Sequence, residues 1–356
     1  MLPRVSIIWL NHNSAKIMPI ALESLESIAT LNYPLDKYEL IVVDNGSSDG
    51  SFEEIKGFLE KKSSLRRKII KLNYNLGFTG GNNIGFIARD RGSKYVLLLN
   101  NDAVLFQEGL RVLVEYAEKY SSVAGLQGVV LKYGSRLIDT AGDYIDELLQ
   151  AHVLGGNQVY PWILRRPIYV TYVDGSCSLY RVECLLKCTG GKLFINEFFG
   201  YGDDNVLGLM LWSCGCRLIA ISEIIASHAR GLTFGRGRRS TISIYLGERN
   251  RVALTQITNT RYKHLVLLHA LRNLITSTIP RTGFSDLVKT RVRVIIDGVK
   301  LGRRLKNQGV FLDIYKAPLV KIPLRDLRVF FTARRLIKKY FENWVYKNLN
   351  LLTIED

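Results

Sequence analysis

Residues 95–102, Tyr95-Val96-Leu97-Leu98-Leu99-Asn100-Asn101-Asp102, form an unbroken apolar run that stops abruptly in three polar side chains. A run of this kind, with no polar alternation, suits a central strand buried on both faces of a parallel sheet. Ligands of open α/β sheets gather beyond the carboxyl ends of such strands, which is where Asp102 falls. A carboxylate there can hold a hard divalent cation, and the cation can neutralise a diphosphate. Asn100-Asn101-Asp102 reads equally well as a plain turn into the helix after Phe106, so this stretch alone leaves both readings open.

The same layout recurs upstream. Residues 5–10 form a short apolar run closed by Asn11-His12-Asn13-Ser14, and Ser14 is placed to cap a helix carrying Ile17, Ile20, Ala21, Leu25 and Ile28. Residues 39–43 form a second strand ahead of Asp44-Asn45-Gly46-Ser47-Ser48-Asp49-Gly50-Ser51, where Ser51 and Glu54 have the spacing of a capping box. A third strand, 68–72, leads into the glycine-bearing stretch 73–83, with a helix expected over 83–91. Its glycines would let the backbone approach a ligand at a helix N-terminus, although it matches neither the P-loop nor the dinucleotide fingerprint. Strand, polar turn and helix in succession describe a doubly wound nucleotide-binding half. Chance would seldom place Asn11, Asp44-Asn45 and Asn100-x-Asp102 all at strand ends.

Further on, 107–120 is amphipathic, 123–131 and 169–180 read as strands, 181–188 as a short helix, and 133–168 resists assignment. Asp203 and Asp204 open the helix that continues through 206–214. Acids at a helix start are favoured by its dipole, but the Phe198-Phe199-Gly200-Tyr201-Gly202 approach also suits a placed catalytic base. A strand at 216–221 precedes an expected edge segment ending in His228, which can complete a metal site near Asp102.

The chain has 356 residues, room for about two domains. Its net charge of +17 is unevenly placed: residues 1–230 carry 24 basic and 24 acidic side chains, residues 231–356 carry 25 and 8. This is the pattern of a neutral body with a basic attachment region. No apolar run reaches the roughly 18 residues of a spanning helix, and the N-terminus is too soon polar for a secretory signal. Cys177, Cys184, Cys188, Cys214 and Cys216 lack zinc-ribbon spacing and read as buried free thiols in a reducing cytosol rather than as a metal site.

Taken together, residues 7–13, 41–50, 75–83 and 98–102 resemble glycosyltransferase family 2, most closely its rhamnosyltransferase-like branch. The likeness continues through Asp174-Gly175-Ser176, Phe198-Phe199-Gly200-Tyr201-Gly202-Asp203-Asp204, Ser227-His228 and, more loosely, Glu248-Arg249-Asn250-Arg251. The resemblance implies a GT-A fold, a Rossmann-like mixed α/β sheet flanked by helices, over residues 1–235. A basic, largely helical region follows over 236–356. It implies inverting transfer of a hexosyl or deoxyhexosyl group from a UDP- or dTDP-type sugar to a glycan or lipid-linked hydroxyl. Asn11, Asp44 and Asn45 would meet the base and ribose. Gly80 and Asn82 would lie beside the nucleotide, with Asn100 and Asn101 on the donor side. Asp102, with His228, would hold Mg²⁺ or Mn²⁺. Asp204 matches the general base and Asp203 its usual acidic neighbour. Val206 and Met210 stand where an acid and an Arg are often found, and Asn100 where the metal element usually has its first Asp.

The C-terminal third mixes apolar residues with Arg293, Lys300, Arg303 and Arg304, and places Phe330, Phe331, Tyr340, Phe341, Trp344 and Tyr346 among further cations. Basic amphipathic helices with interfacial aromatics suit an anionic bilayer, and so an enzyme peripheral on the inner face of the cell membrane. Packing against the body or a second subunit is the other reading, and no nucleic-acid-reading motif accompanies the charge. A nucleotidyltransferase is disfavoured because no Gly-rich Lys/Arg signature follows the first strand. A sugar-nucleotide-binding or scaffolding protein without catalysis remains the alternative from another class.

Overall fold

The computed structural model describes residues 2–230, 241–276 and 284–354. The boundary expected between 235 and 236 lies outside them. Strands β1 (Val5–Asn11), β2 (Tyr38–Asp44), β3 (Arg67–Lys71) and β4 (Tyr95–Asn100) are followed by β5 (Ala103–Leu105), β6 (Val123–Lys132), β7 (Ile138–Thr140) and β8 (Asp143–Asp146). Then come β9 (Ala151–Val153), β10 (Ile168–Tyr169), β11 (Cys177–Arg181) and β12 (Arg217–His228). Helices α1 (Met18–Ala29), α2 (Ser51–Glu60), α3 (Gly77–Ala88) and α4 (Gly109–Lys119) connect the first strands. Helices α5 (Val182–Cys188) and α6 (Asp203–Ser213) lie between β11 and β12.

The main sheet runs β10-β12-β6-β11-β4-β1-β2-β3. The β4-β1-β2-β3 half is parallel, whereas β11 runs antiparallel to both β4 and β6, so the sheet is mixed. Leu97, Leu98 and Leu99 of β4 are buried against opposite cores, as the uninterrupted apolar run requires. Burial of this completeness contributes roughly 1.5–3 kcal/mol per large apolar side chain. β12 is not an edge strand as expected. It lies between β10 and β6, and its last residues pair with β5, His228 opposite Ala103.

Several local expectations change. Ser14 does not cap α1; its hydroxyl donates to Asn11 Oδ1 at 2.5 Å. Ser51 forms no capping box, because Gly50 at φ +84° starts α2 and the Ser51 hydroxyl accepts from Asn11 Nδ2. The glycine-bearing stretch is already helical from Gly77, six residues before the expected start. Gly81 and Gly85 let α3 lie directly on Leu10 and Ile8 of β1, where any Cβ would collide. The carbonyl of Phe199 lies over the helix start and accepts from Thr79 N at 3.4 Å. The expected strand over 169–180 is a loop from Val170 to Ser176 between β10 and β11. Within 133–168, β7, β8 and β9 are strands of four residues or fewer, too short to carry a period.

The cysteines are not all free thiols. The end of α5 and the end of α6 bring Cys188 and Cys214 to a Cα separation of 5.7 Å, and they form a disulfide, leaving Cys177, Cys184 and Cys216 free.

The C-terminal third supplies α7 (Thr241–Ile257), α8 (Lys263–Thr276), α9 (Phe284–Asn307) and α10 (Arg334–Leu352). These helices share a core with the body: Ala253, Leu254, Ile257 and Leu301 pack with Ile145, Tyr172, Val206 and Leu209. The aromatics expected at a bilayer face mostly turn inward. Phe330 and Phe341 are buried, Trp344 packs edge-on against Tyr144, and only Tyr346 of the six is exposed. Aromatic area is worth more in that core than at the surface. Among the described residues no helix is long and apolar enough to cross a membrane.

Candidate active site

Four chain segments end at one corner of the sheet: the β4–β5 turn, the β10–β11 loop, the start of α6, and the end of β12. Asp102 occupies the β4–β5 turn, and Ala229 N donates to its carbonyl at 2.8 Å, tying the end of β12 to it. His228 Nε2 lies 3.0 Å from Asp102 Oδ1, and His228 Nδ1 lies 2.9 Å from Asp139 Oδ2. Arg230 continues the chain, donating to Asp139 at 3.0 Å and to Asp174 at 2.9 Å. Burial opposes a charged His228, but the hydrogen bonds to Asp102 and Asp139 outweigh it and push the imidazole up to about 9. Burial likewise opposes ionisation of Asp102 and Asp174. Contact with His228 for the first, and with Arg230 for the second, holds each below the ordinary carboxylate range.

Asp102 and His228 are thus brought together as expected, with both imidazole nitrogens facing carboxylates. A carboxylate and an imidazole 3.0 Å apart, the imidazole oriented from behind by a second carboxylate, fit a divalent cation. Neutral His228 would keep its Nδ1–H on Asp139 and turn a free Nε2 lone pair to the ion.

The acidic loop lies across from this chain. Gly202, at φ +86°, starts α6, and Asp203 and Asp204 are its first two residues, as read from the sequence. Phe199 and Tyr201 both sit at φ +65°, a conformation non-glycine residues avoid and that must be held by surrounding contacts. Asn250 of α7 provides them: its Nδ2 lies 3.1, 2.8 and 2.7 Å from the carbonyls of Phe198, Gly200 and Tyr201. Arg249 adds bonds to the carbonyls of Glu197 and Phe198. From α3, Asn83 binds the Phe194 carbonyl at 2.8 Å and Asn196 Oδ1 at 2.6 Å. Asn250→Ala strands several buried carbonyls at about 1–3 kcal/mol. It is expected to cut kcat about 10²-fold, since small displacements of a reacting group cost that much. Steady-state kinetics beside a denaturation curve separate the two effects.

Asp203 Oδ2 and Asp204 Oδ1 are buried without hydrogen-bond partners, as is Gln127 Nε2, whose amide oxygen accepts from Asp174 N at 2.9 Å. Gly175 makes this arrangement tight, because a Cβ there would stand 2.8 Å from Asp204 Oδ1. Burial, then Asp203 and Asp174, pushes Asp204 well above the ordinary carboxylate range, and burial pushes Asp203 up to about 7. Carboxyls that retain a proton near neutrality and keep one oxygen without a protein partner are poised for proton transfer. Asp174 also faces Asp143, which burial pushes up to about 8.

The remaining expected residues sit at the ends of β1, β2 and β4 and in the first turns of α3, most of them bonded to one another. Asn11 Nδ2 donates to Asp44 Oδ1 at 2.8 Å and to Ser47 and Ser51 at 3.1 Å; Asn11 and Asp44 are fully buried. Asn45 bridges Asn75, the Gly77 carbonyl and Leu76 N, holding the 44–51 loop against the start of α3. Asn82 bonds back to the Phe78 carbonyl, Gly80 packs on Leu76, and Asn101 reaches Asn11 Oδ1 at 3.5 Å. Asn100 and Asn101 are half-buried at the mouth, and Asn100 N takes the Ser176 carbonyl. Val206 and Met210 pack into the core shared with the C-terminal helices, not toward the site.

Asp139, Asp143 and Arg230 were missed in the sequence, and Asp174, Arg249 and Asn250 were seen without a role. Asp139 and Asp143 fall in the stretch whose strands are too short to read, and Arg230 carries no local pattern at all.

A family model described as glycosyl transferase family 2 matches residues 6–185, half of the chain. The chain belongs to glycosyltransferase family 2. An uncharacterized glycosyltransferase of Haemophilus influenzae (strain ATCC 51907 / DSM 11121 / KW20 / Rd) is 29% identical over 253 residues, covering 70% of this chain and 71% of that protein. Among solved structures, GalNAc-T7 with UDP, GalNAc and Mn²⁺ aligns at a TM-score of 0.59 and 14% identity over 82% of this chain and 55% of that one. S. aureus TarS aligns at 0.54 and 15% identity, covering 84% of this chain and 49% of that one. The mannosyltransferase PcManGT of Pyrobaculum calidifontis, with GDP-Man and Mn²⁺, aligns at 0.50 and 17% identity over 87% of this chain and 80% of that one. The chain therefore spans about half the length of the first two structures, and the likeness establishes the GT-A fold.

Proposed function

We propose that this family 2 enzyme transfers a hexosyl or deoxyhexosyl group, with inversion, from a nucleotide-diphosphate sugar to a hydroxyl of a glycan or lipid-linked acceptor. The observation that carries this reading is Asp204 Oδ1, buried, without a partner and held above Gly175, in a loop clamped from both α3 and α7. The loops built by Asn11, Asp44 and Asn45 form the nucleotide side, with Gly80, Asn82, Asn100 and Asn101 along its edge. Asp102 and His228 would hold Mg²⁺ or Mn²⁺; such an ion, when bound, stabilises the charge of the departing diphosphate. Arg230, already neutralising Asp139 and Asp174, keeps two carboxylates from repelling that diphosphate. Asp204 takes the acceptor proton as the oxygen attacks, and Asp203 tunes it through like charge. UDP-, dTDP- and GDP-sugars are the candidate donors. GalNAc-T7 was solved with UDP and PcManGT with GDP-Man, while dTDP-sugars and deoxyhexose follow the rhamnosyltransferase-like sequence pattern. Nucleotide release from a panel of these donors, with Mn²⁺ and with EDTA, tests the reading. Metal-dependent release supports transfer, and binding of every donor without release leaves a sugar-nucleotide-binding protein.

Because Asp204 must be ionised to act, kcat/KM is expected to rise with pH through a range well above that of an ordinary carboxylate near 4. The sign for stability is opposite. The folded chain keeps protons on Asp143 and Asp203 that the unfolded chain sheds, so their contribution to stability is lost as pH rises toward about 7 and 8. Rate and denaturation profiles over the same pH range check both signs.

Membrane association now rests on a different face from the expected aromatics. Leu268, Leu271, Val292 and Ile296 are exposed on α8 and α9 beside Arg293, in the third of the chain that holds the entire charge excess. Such a face suits an anionic surface where a lipid-linked acceptor resides. Co-sedimentation with phosphatidylglycerol vesicles, lost in 0.5 M salt (about 4–5 Å screening length), is the expected outcome. Equal recovery with neutral vesicles contradicts it.

A further inference from the structure

The far end of the helix that presents Asp204 carries a second cluster of reactive groups. Cys188, Cys214 and Cys216 place their sulfurs within 4.8 Å of one another, with Cys188 Sγ and Cys216 Sγ 3.5 Å apart. Three separate features produce this. Cys188 ends α5; Cys214 ends α6; and Gly215, at φ +85°, reverses the chain so that Cys216 N bonds back to the Leu211 carbonyl at 2.9 Å. Cys184, outside this group of three, lies one turn before Cys188 on the same face of α5.

A disulfide needs two sulfurs, yet a third, that of Cys216, converges on it, and a fourth cysteine, Cys184, lies one turn away on α5. From this convergence we infer that the reduced cluster is a soft-metal site, in which Cys184, Cys188, Cys214 and Cys216 bind one Zn²⁺ as a tetrathiolate. The number and kind of donors match: four thiolates close a tetrahedral zinc shell, with neighbouring sulfurs a little under 4 Å apart at a Zn–S distance of about 2.3 Å. Closing that shell requires the Cys188–Cys214 bond to be reduced so that its two sulfurs separate, and Cys184 to turn toward Cys216. Lys187 stands near Cys216 and Arg181 near Cys184, so both cations would offset part of the negative charge of the complex. The site is structural. It is closed by protein ligands, and the 11-residue α6 sets it about 16 Å from Asp203 and Asp204. Zinc there joins α5, α6 and the start of β12, fixing the base of the catalytic helix.

The disulfide is the oxidised form of the same site. Two equivalents of a small thiol reduce the Cys188–Cys214 bond and leave as their own disulfide. The four cysteine thiols then release four protons as they take up one Zn²⁺. In a reducing compartment, where such a disulfide does not persist, the metal form is the one expected.

The full chain, reduced with a phosphine and purified anaerobically in the presence of Zn²⁺, is then freed of loose metal and assayed for zinc by mass spectrometry. One zinc per chain is expected. Cobalt(II) in its place should give the thiolate charge-transfer and tetrahedral ligand-field bands, and the melting temperature of the wild-type chain should fall when a strong chelator is added. Cys216→Ser and Cys184→Ser should each lose tight zinc, while Cys177→Ala, outside the cluster, should keep it. Two results overturn the proposal. One is a reduced wild-type chain that emerges metal-free with no cobalt–thiolate band. The other is undiminished zinc in the Cys216→Ser and Cys184→Ser chains. Neither depends on the sugar-transfer reading, since metal content and melting are measured without substrate.

Discussion

Asp204→Asn is expected to lower kcat by about 10²–10⁴-fold while leaving donor affinity near that of the unaltered enzyme. The amide keeps the size and place of the carboxylate, so the strained loop and its clamp to Asn250 survive. It cannot accept a proton. The change also removes one of several mutually repelling acids, Asp203, Asp174 and Asp143 being the others that act on it. Stability should therefore hold or rise, which separates a catalytic loss from a folding loss. Isothermal calorimetry for donor binding, single-turnover kinetics for transfer and a denaturant melt together read the outcome. A variant that binds donor and transfers at the normal rate removes Asp204 from the mechanism.

The second large effect is expected at the other end of the site. Asp102→Asn should abolish the dependence of donor binding on Mn²⁺. The amide still accepts from His228, so the contact at 3.0 Å and the β12–β4 junction are kept. What is lost is the anionic oxygen, the one property a hard cation requires. Loss of an outer partner of a metal ligand costs about 10–100-fold in affinity, and loss of the ligand itself should exceed that. Asp139→Asn, which alters the group behind His228 and one partner of Arg230, should fall in that smaller range. Calorimetry with and without EDTA distinguishes the three chains: equal metal dependence in wild type and Asp102→Asn contradicts the assignment.

How far the sequence spoke depended on how local each signal was. β1, β2 and β4 were legible because burial on both faces demands an unbroken apolar run, and Asp102 was legible because it stands where that run stops. Asp203 and Asp204 could be placed at a helix start from their own neighbourhood. The chain through Asp139, Arg230 and Asp174 could not, since its members come from three segments that only the closed sheet brings together. Asn250 acts on carbonyls some fifty residues away, and nothing near it in the sequence betrays that. Burial misled in the C-terminal third: Phe330 and Phe341 beside cations resemble a bilayer face, but both are turned into the core, Phe341 by α10 and Phe330 by the turn ahead of it. The glycines of 73–83 suggested close approach of the backbone to a ligand, and Gly81, with Gly85 beyond the stretch, also lets the helix lie on β1.

Crystals grown with Mn²⁺ and a nucleotide sugar that the release assay has selected, measured at the manganese absorption edge, address the central claim most directly. An anomalous peak bonded to Asp102 is expected, with the Asp204 carboxylate facing the anomeric carbon from the side opposite the diphosphate. Manganese bound away from Asp102, or a sugar that Asp204 cannot reach, would contradict it.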